Sequence, residues 1–161
     1  MIVTEDAAHE IITSLVHSSR VHYGVDCETT GLLEHDSLFS LIISGDEDYY
    51  FSFNDAQEHA LPRAAIFHLL KDFFAREDLT FFMANAKFDL RMLAKEGIEV
   101  AGTVHDCAAV ERVMHNNLIK GYSLAEMAKR RGWQKDDAVA EYISKHKCYT
   151  NIEVPGKKKI I

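Results

Sequence analysis

The sequence predicts an α/β domain on a mixed central sheet, and three observations lead there. Apolar residues recur first at helical spacing, then in three short strand-like runs, then in alternating helical and strand-like segments. Close succession of the first three strands implies an antiparallel meander, whereas the later ones, each separated by a helix, imply parallel crossovers. The chain has 161 residues and is 47% hydrophobic, enough for one domain with a real core and too short for two ordinary ones.

Each element has its own signal. Ala7, Ala8, Ile11, Ile12, Leu15 and Val16 repeat at helical spacing over 6–16, behind a Thr4/Asp6 start. Residues 21–27 (VHYGVDC) alternate as a strand and lead to a turn around Gly31. Residues 38–44 form a second strand, 45–48 a hairpin turn, and 49–53 a third strand. Pro62 then opens a helix carrying Ala65, Ile66, Leu69, Leu70, Phe73 and Phe74. A buried strand is expected over 79–84, and a helix over 87–96 that stops at Gly97. Thr103 and Val104 form a short strand, with Asp106 as the N-cap of a helix over 107–116. Further helices are expected over 123–131 and 136–146, and residues 154–161 read as a loop-like tail.

Composition narrows the function classes. With 18 Lys+Arg against 25 Asp+Glu the net charge is -7, so the chain is not a generically basic nucleic-acid coat. A phosphate-bearing partner would need a local site or a bound cation. No apolar run approaches a membrane span, and the first residues lack the pattern of a signal peptide. Three cysteines without a C-x-x-C pair imply a reducing, cytoplasmic compartment. Nine histidines show no tight ligand spacing with cysteine, which argues against a zinc centre.

Chemistry concentrates in two segments. In Asp26-Cys27-Glu28-Thr29-Thr30-Gly31-Leu32 the two acids are two residues apart at a strand end, so they share a face of the sheet. Like charges held that close repel, and a hard divalent cation such as Mg²⁺ or Mn²⁺ between them relieves the repulsion. Cys27 should point the other way, into the core. The second segment is Asn85-Ala86-Lys87-Phe88-Asp89, where an amide and a carboxylate one turn apart follow a strand and share a helix face. By itself that is an ordinary helix start. Its significance lies in its order after the first.

Together these segments resemble the 3′-5′ exonucleases of the DEDD (DnaQ-like) superfamily, and more closely the proofreading domain of family A, polymerase I type, DNA polymerases. The likeness extends through the first helix, the meander, Thr103-Val104-His105-Asp106-Cys107 and Gly121-Tyr122-Ser123-Leu124. It implies a ribonuclease H-like fold and two-metal hydrolysis of a terminal phosphodiester, with Mg²⁺ or Mn²⁺ as cofactor and two ions expected. By the resemblance, Asp26 would bridge the ions, Glu28 would hold the first and Asp89 the second. Asn85 would hydrogen-bond the terminal nucleotide, Thr29 and Leu32 would line its pocket, and Phe88 would contact the frayed strand. The implied partners are a single-stranded DNA 3′ end and a polymerase domain in the same or a companion chain. The implied setting is a bacterial or phage-infected host cytoplasm.

The resemblance also calls for a fourth carboxylate, from Tyr-x-x-x-Asp or His-x-x-x-x-Asp. After Asp89 the sequence offers only Tyr122 with Glu126, Tyr142 with His146 and Tyr149 with Glu153, none ending in Asp. The expectation is one domain over 1–161 from which the C-terminal helix bearing that motif is missing. Two alternatives follow: an RNA-trimming relative of the ribonuclease D kind, and a non-catalytic module that binds nucleic acid or a polymerase. Glu126 reads as a solvated helix-face residue and Lys157–Lys159 as a solvated tail.

Overall fold

Period-2 burial along His22–Thr29 makes this segment the central strand, β1, of a five-stranded sheet. The computed structural model describes residues 1–33, 35–54, 59–133 and 145, together with the course of the chain over 151–154 and 157–160. Contacts divide the chain into two compact units, Met1–Tyr122 and Ser123–Ile161.

In the first unit the order is α1 (Glu5–His17), β1, β2 (Leu38–Ser44), β3 (Asp48–Ser52), α2 (Arg63–Phe74), β4 (Thr80–Met83), α3 (Ala86–Lys95), β5 (Thr103–Asp106) and α4 (Cys107–Met114). The strands lie in the order β3-β2-β1-β4-β5. β1, β2 and β3 pair antiparallel; β4 and β5 join β1 in parallel. This is the mixed sheet expected from the sequence, with a meander on one side and crossovers on the other. One edge gains a further backbone partner the sequence did not announce: Val3 donates its N–H to the Tyr50 carbonyl and Tyr50 donates to that of Met1.

One face of the sheet carries the core. Tyr23, Val25 and Cys27 of β1, Leu41 and Ile43 of β2, Phe51 of β3, and Phe81 and Met83 of β4 are all buried. Against them pack Ile12 and Leu15 of α1, Ile66, Leu70, Phe73 and Phe74 of α2, and Met92 and Leu93 of α3. Residues of opposite parity on β1, namely His22, Gly24, Asp26 and Glu28, therefore stand on the other face. α3 ends as expected at Gly97, whose φ of 73° lets Gly97 donate to the Ala94 carbonyl and Ile98 to that of Leu93. At Gly102 the chain passes so close to β4 that a side-chain carbon would stand 2.4 Å from the Leu79 carbonyl oxygen. That carbonyl accepts the Thr103 N–H at 2.9 Å and starts β5.

The second unit contains α5 (Leu124–Arg130) and an antiparallel pair, β6 (Asn151–Val154) with β7 (Lys157–Ile160). This pair corrects the loop-like reading of the tail. Ile152 and Val154 recur with period 2, a β-branched signal that the three consecutive lysines outweighed. Glu126 is exposed on α5 as expected, and with Ser123 it also closes a capping box at the start of that helix. The helix expected over 136–146 falls on residues that, Lys145 apart, lie outside those described, as does Tyr149. Among the described residues no helix is long and apolar enough to cross a membrane.

Candidate active site

β1 runs longer than its parallel neighbour. Pairing with β4 ends at Gly24 opposite Phe82, while pairing with β2 continues through Glu28 opposite Ser40. The last turn of β1 therefore has an open edge on the β4 side. Val21 already points its carbonyl there, accepting from Thr80, and residues of the same parity direct their N–H groups the same way. The Cys27 N–H thus leaves the sheet without a strand to meet. Asp89, from the first turn of α3, accepts it through Oδ1 at 3.0 Å.

That hydrogen bond brings the two sequence segments together. Asp26 is partly buried, Glu28 is exposed, and Asp89 is 2% exposed. Burial first, and then the nearby Asp26 charge, pushes the Asp89 carboxyl up to about 6; the Cys27 N–H pulls in the opposite direction. Cys27 faces the core as expected, and burial with Asp89 beside it raises its thiol strongly. A protonated, buried thiol is a packing group and not a nucleophile.

Asn85 precedes α3 in the left-handed conformation, φ 67° and ψ 50°, and its side chain makes no capping bond. It is exposed while Asp89 is buried, so the two do not share a face as the spacing suggested. The reason is local: a left-handed residue before the first turn does not follow the helical rotation.

The loop after β1 is organised by a residue the sequence reading passed over. Asp36 accepts the Leu33 N–H at 2.6 Å and the Thr30 hydroxyl at 3.0 Å. The Leu33 bond first, and then Thr30, holds the Asp36 carboxyl below its ordinary value. A side-chain carbon at Gly31 would stand 2.6 Å from that carboxylate. Thr29 donates its hydroxyl to the Gly31 carbonyl at 2.7 Å, at the irregularity that ends β1 pairing. Arg91 and Lys95 of α3 reach back to the Leu32 and Asp36 carbonyls at 3.3 and 2.7 Å. The Arg91 guanidinium also lies 5.4 Å from the centre of the Phe88 ring. Leu32, 64% exposed, and half-buried Phe88 are thus tied to one another through α3.

The donor set is all oxygen, which suits Mg²⁺ or Mn²⁺ over zinc. Asp89 also shows the repulsion from Asp26 that a cation would relieve. Among the described residues, no three His, Cys, Asp or Glu side chains converge as one complete ligand set. Mg²⁺ does not require one, since it binds through one or two carboxylates, water and substrate phosphate. The acids that the structure brings together and that could hold it are Asp26 and Asp89, with Glu28 next along the same face of β1.

A mixed five-stranded sheet of this order, a meander on one side and parallel crossovers on the other, is the ribonuclease H-like architecture. Residues 1–148 match the 3′-5′ exonuclease family, and the chain belongs to that family of metal-dependent enzymes. Solved structures agree on the fold. Escherichia coli RNase D, "an exoribonuclease involved in structured RNA processing", is similar with a TM-score of 0.67 at 13% identity, over 87% of this chain and 35% of that one. The RNase domain of yeast Pop2 gives 0.67 at 12% identity, over 84% and 76%. The catalytic core of RRP6 from Trypanosoma brucei gives 0.67 at 16%, over 84% and 35%. No curated protein sequence matches the chain.

Proposed function

We propose that the chain is a proofreading-type 3′-5′ exonuclease that hydrolyses the terminal phosphodiester of single-stranded DNA and releases nucleoside 5′-monophosphates. It would work beside a polymerase domain in the same or a companion chain. The observation that carries this reading is the buried Asp89 carboxylate, held by the Cys27 N–H within the field of Asp26. Asp26, Glu28 and Asp89 would hold divalent cations, which when bound would supply an activated water and stabilise the departing 3′-oxygen. Asn85, exposed just before α3, would hydrogen-bond the terminal nucleotide. Leu32 and Phe88 offer apolar surface to an unstacked base, which only a frayed or single-stranded end can present.

The test is a gel assay on 5′-labelled single-stranded DNA and RNA with Mg²⁺ or Mn²⁺, run beside Asp26→Ala. DNA should shorten stepwise from its 3′ end with the wild-type chain alone. Faster trimming of RNA than of DNA would replace the proofreading reading with an RNA-processing one. Degradation surviving in Asp26→Ala would sink the assignment of the site. A second variant addresses the pocket: Leu32→Ala is expected to raise KM for DNA about ten-fold, roughly 1.4 kcal/mol, with kcat nearly unchanged. Because Leu32 is 64% exposed, its melting temperature should match wild type. Steady-state kinetics on oligonucleotides of one length would show the effect.

A further inference from the structure

We infer that Asp106 is a positioning residue for the candidate active site, its carboxylate fastening the first turn of α3 to the start of α4. The inference rests on the reading of Asp26 and Asp89 as cation-holding acids. Asp106 ends β5 directly opposite Met83, the last residue of β4, so the two chains leave the sheet side by side. One leads into α4 and the other into the turn that begins α3. As the N-cap of α4, Asp106 accepts the Ala108 and Ala109 N–H groups through Oδ1 at 2.9 and 3.1 Å. Capping needs no more than this.

The same carboxylate does more. Oδ1 accepts the Asn85 N–H at 3.2 Å and Oδ2 accepts the Ala86 N–H at 3.1 Å. The first N–H groups of any helix lack intrahelical partners, and the Asn85 side chain makes no capping bond of its own. Asp106 therefore supplies from a neighbouring strand the cap that α3 lacks. It also holds Asn85 in a left-handed conformation that few residues other than glycine adopt. Asp89 follows one turn later and is held to β1 by the Cys27 N–H. A continuous set of bonds thus runs from Asp106 through Asn85 and Ala86 to the carboxylate beside Asp26. Releasing its far end frees the turn that aims Asp89.

Two substitutions separate this role from simple capping. In Asp106→Ser a hydroxyl still reaches the Ala108 and Ala109 amides, as a helix cap does, but is too short for α3. In Asp106→Asn the oxygen serving three of the four amides remains. Amide hydrogen exchange is followed by NMR on the metal-free full chain, and Mn²⁺ binding by loss of the free-ion EPR signal. Asp106→Ser is expected to speed exchange at Asn85, Ala86 and Cys27 about ten-fold, the worth of one net hydrogen bond, while Ala108 and Ala109 stay protected. Mn²⁺ affinity should fall by a similar factor, and Asp106→Asn should recover most of both. Unchanged exchange at Cys27, or uniform acceleration across the sheet, would overturn the positioning role. A wild-type chain that binds no Mn²⁺ overturns the cation reading instead, and the exchange pattern still decides for or against Asp106.

Discussion

Asp89→Asn is expected to produce a chain that is more stable than wild type above pH 6 and at least about 10³-fold slower as a nuclease, roughly 4 kcal/mol of transition-state stabilisation. In the folded chain, burial and Asp26 raise the Asp89 carboxyl from 3.8 to about 6. A raised carboxyl contributes stability that is complete below the unfolded value of 3.8 and is lost as pH rises through about 6. Above that point the fold keeps an ionised carboxylate buried beside Asp26. The difference corresponds to about 3 kcal/mol, a large share of a typical domain's stability. Asparagine has the same shape, carries no charge, and keeps an oxygen for the Cys27 N–H, so it removes the loss. It also removes an acid that a cation requires, and activity goes with it. Urea unfolding in EDTA at pH 5 and pH 8 provides the check. Wild type should weaken between the two, and Asp89→Asn should not. At pH 8 the Asp89 carboxylate is already ionised, so Mn²⁺ binding to it should relieve the repulsion from Asp26, restore the wild type and leave the variant unchanged. Equal losses in both proteins from pH 5 to pH 8 would place the titration elsewhere.

That trade between stability and function explains what could be read from the chain beforehand. Period and cap signals located α1 through α4 and all five strands of the first unit to within about three residues: α1, α2 and α3 each bury one face against a common core, whereas α4 is marked by its Asp106 cap. Parity put Asp26 and Glu28 on one side of β1 and Cys27 on the other. No local pattern announces that β4 stops short of β1, yet this leaves the Cys27 N–H for Asp89 to accept. The same holds for the second pair of bonds to Asp106 and for the reach of Arg91 and Lys95 across 59 positions of sequence to the loop after β1. These contacts join elements that meet only once the sheet has formed. The capping box of α5 is different: Ser123-Leu124-Ala125-Glu126 spells it in four consecutive residues, so local spacing alone carries it.

Phe81→Ala is expected to cost about 3–5 kcal/mol, the largest loss of stability from any single side chain of β4. Phe81 is fully buried at the middle of that strand, between Tyr23 of β1 and Val104 of β5 in register. Its ring meets Phe73 edge-on at 5.7 Å and Phe74 at 5.3 Å, both of α2. Removing it opens a cavity walled by two aromatic rings and three strands, where neighbours cannot collapse without shifting the sheet. For a chain of this length the loss lowers the melting temperature by roughly 10 °C. The consequence for the site differs from that of the carboxylate substitutions. Phe81 lies on the core face of the sheet and Asp26 and Glu28 on the other, so although β4 leads into α3, activity should fall only with the folded fraction. Thermal melts and single-temperature rates taken together separate the two cases. For Phe81→Ala the rate per folded molecule should stay near wild type at 15 °C and collapse through the lowered transition. A rate already lost at 15 °C in a fully folded chain would show that the packing of β4 sets the geometry of the acids directly.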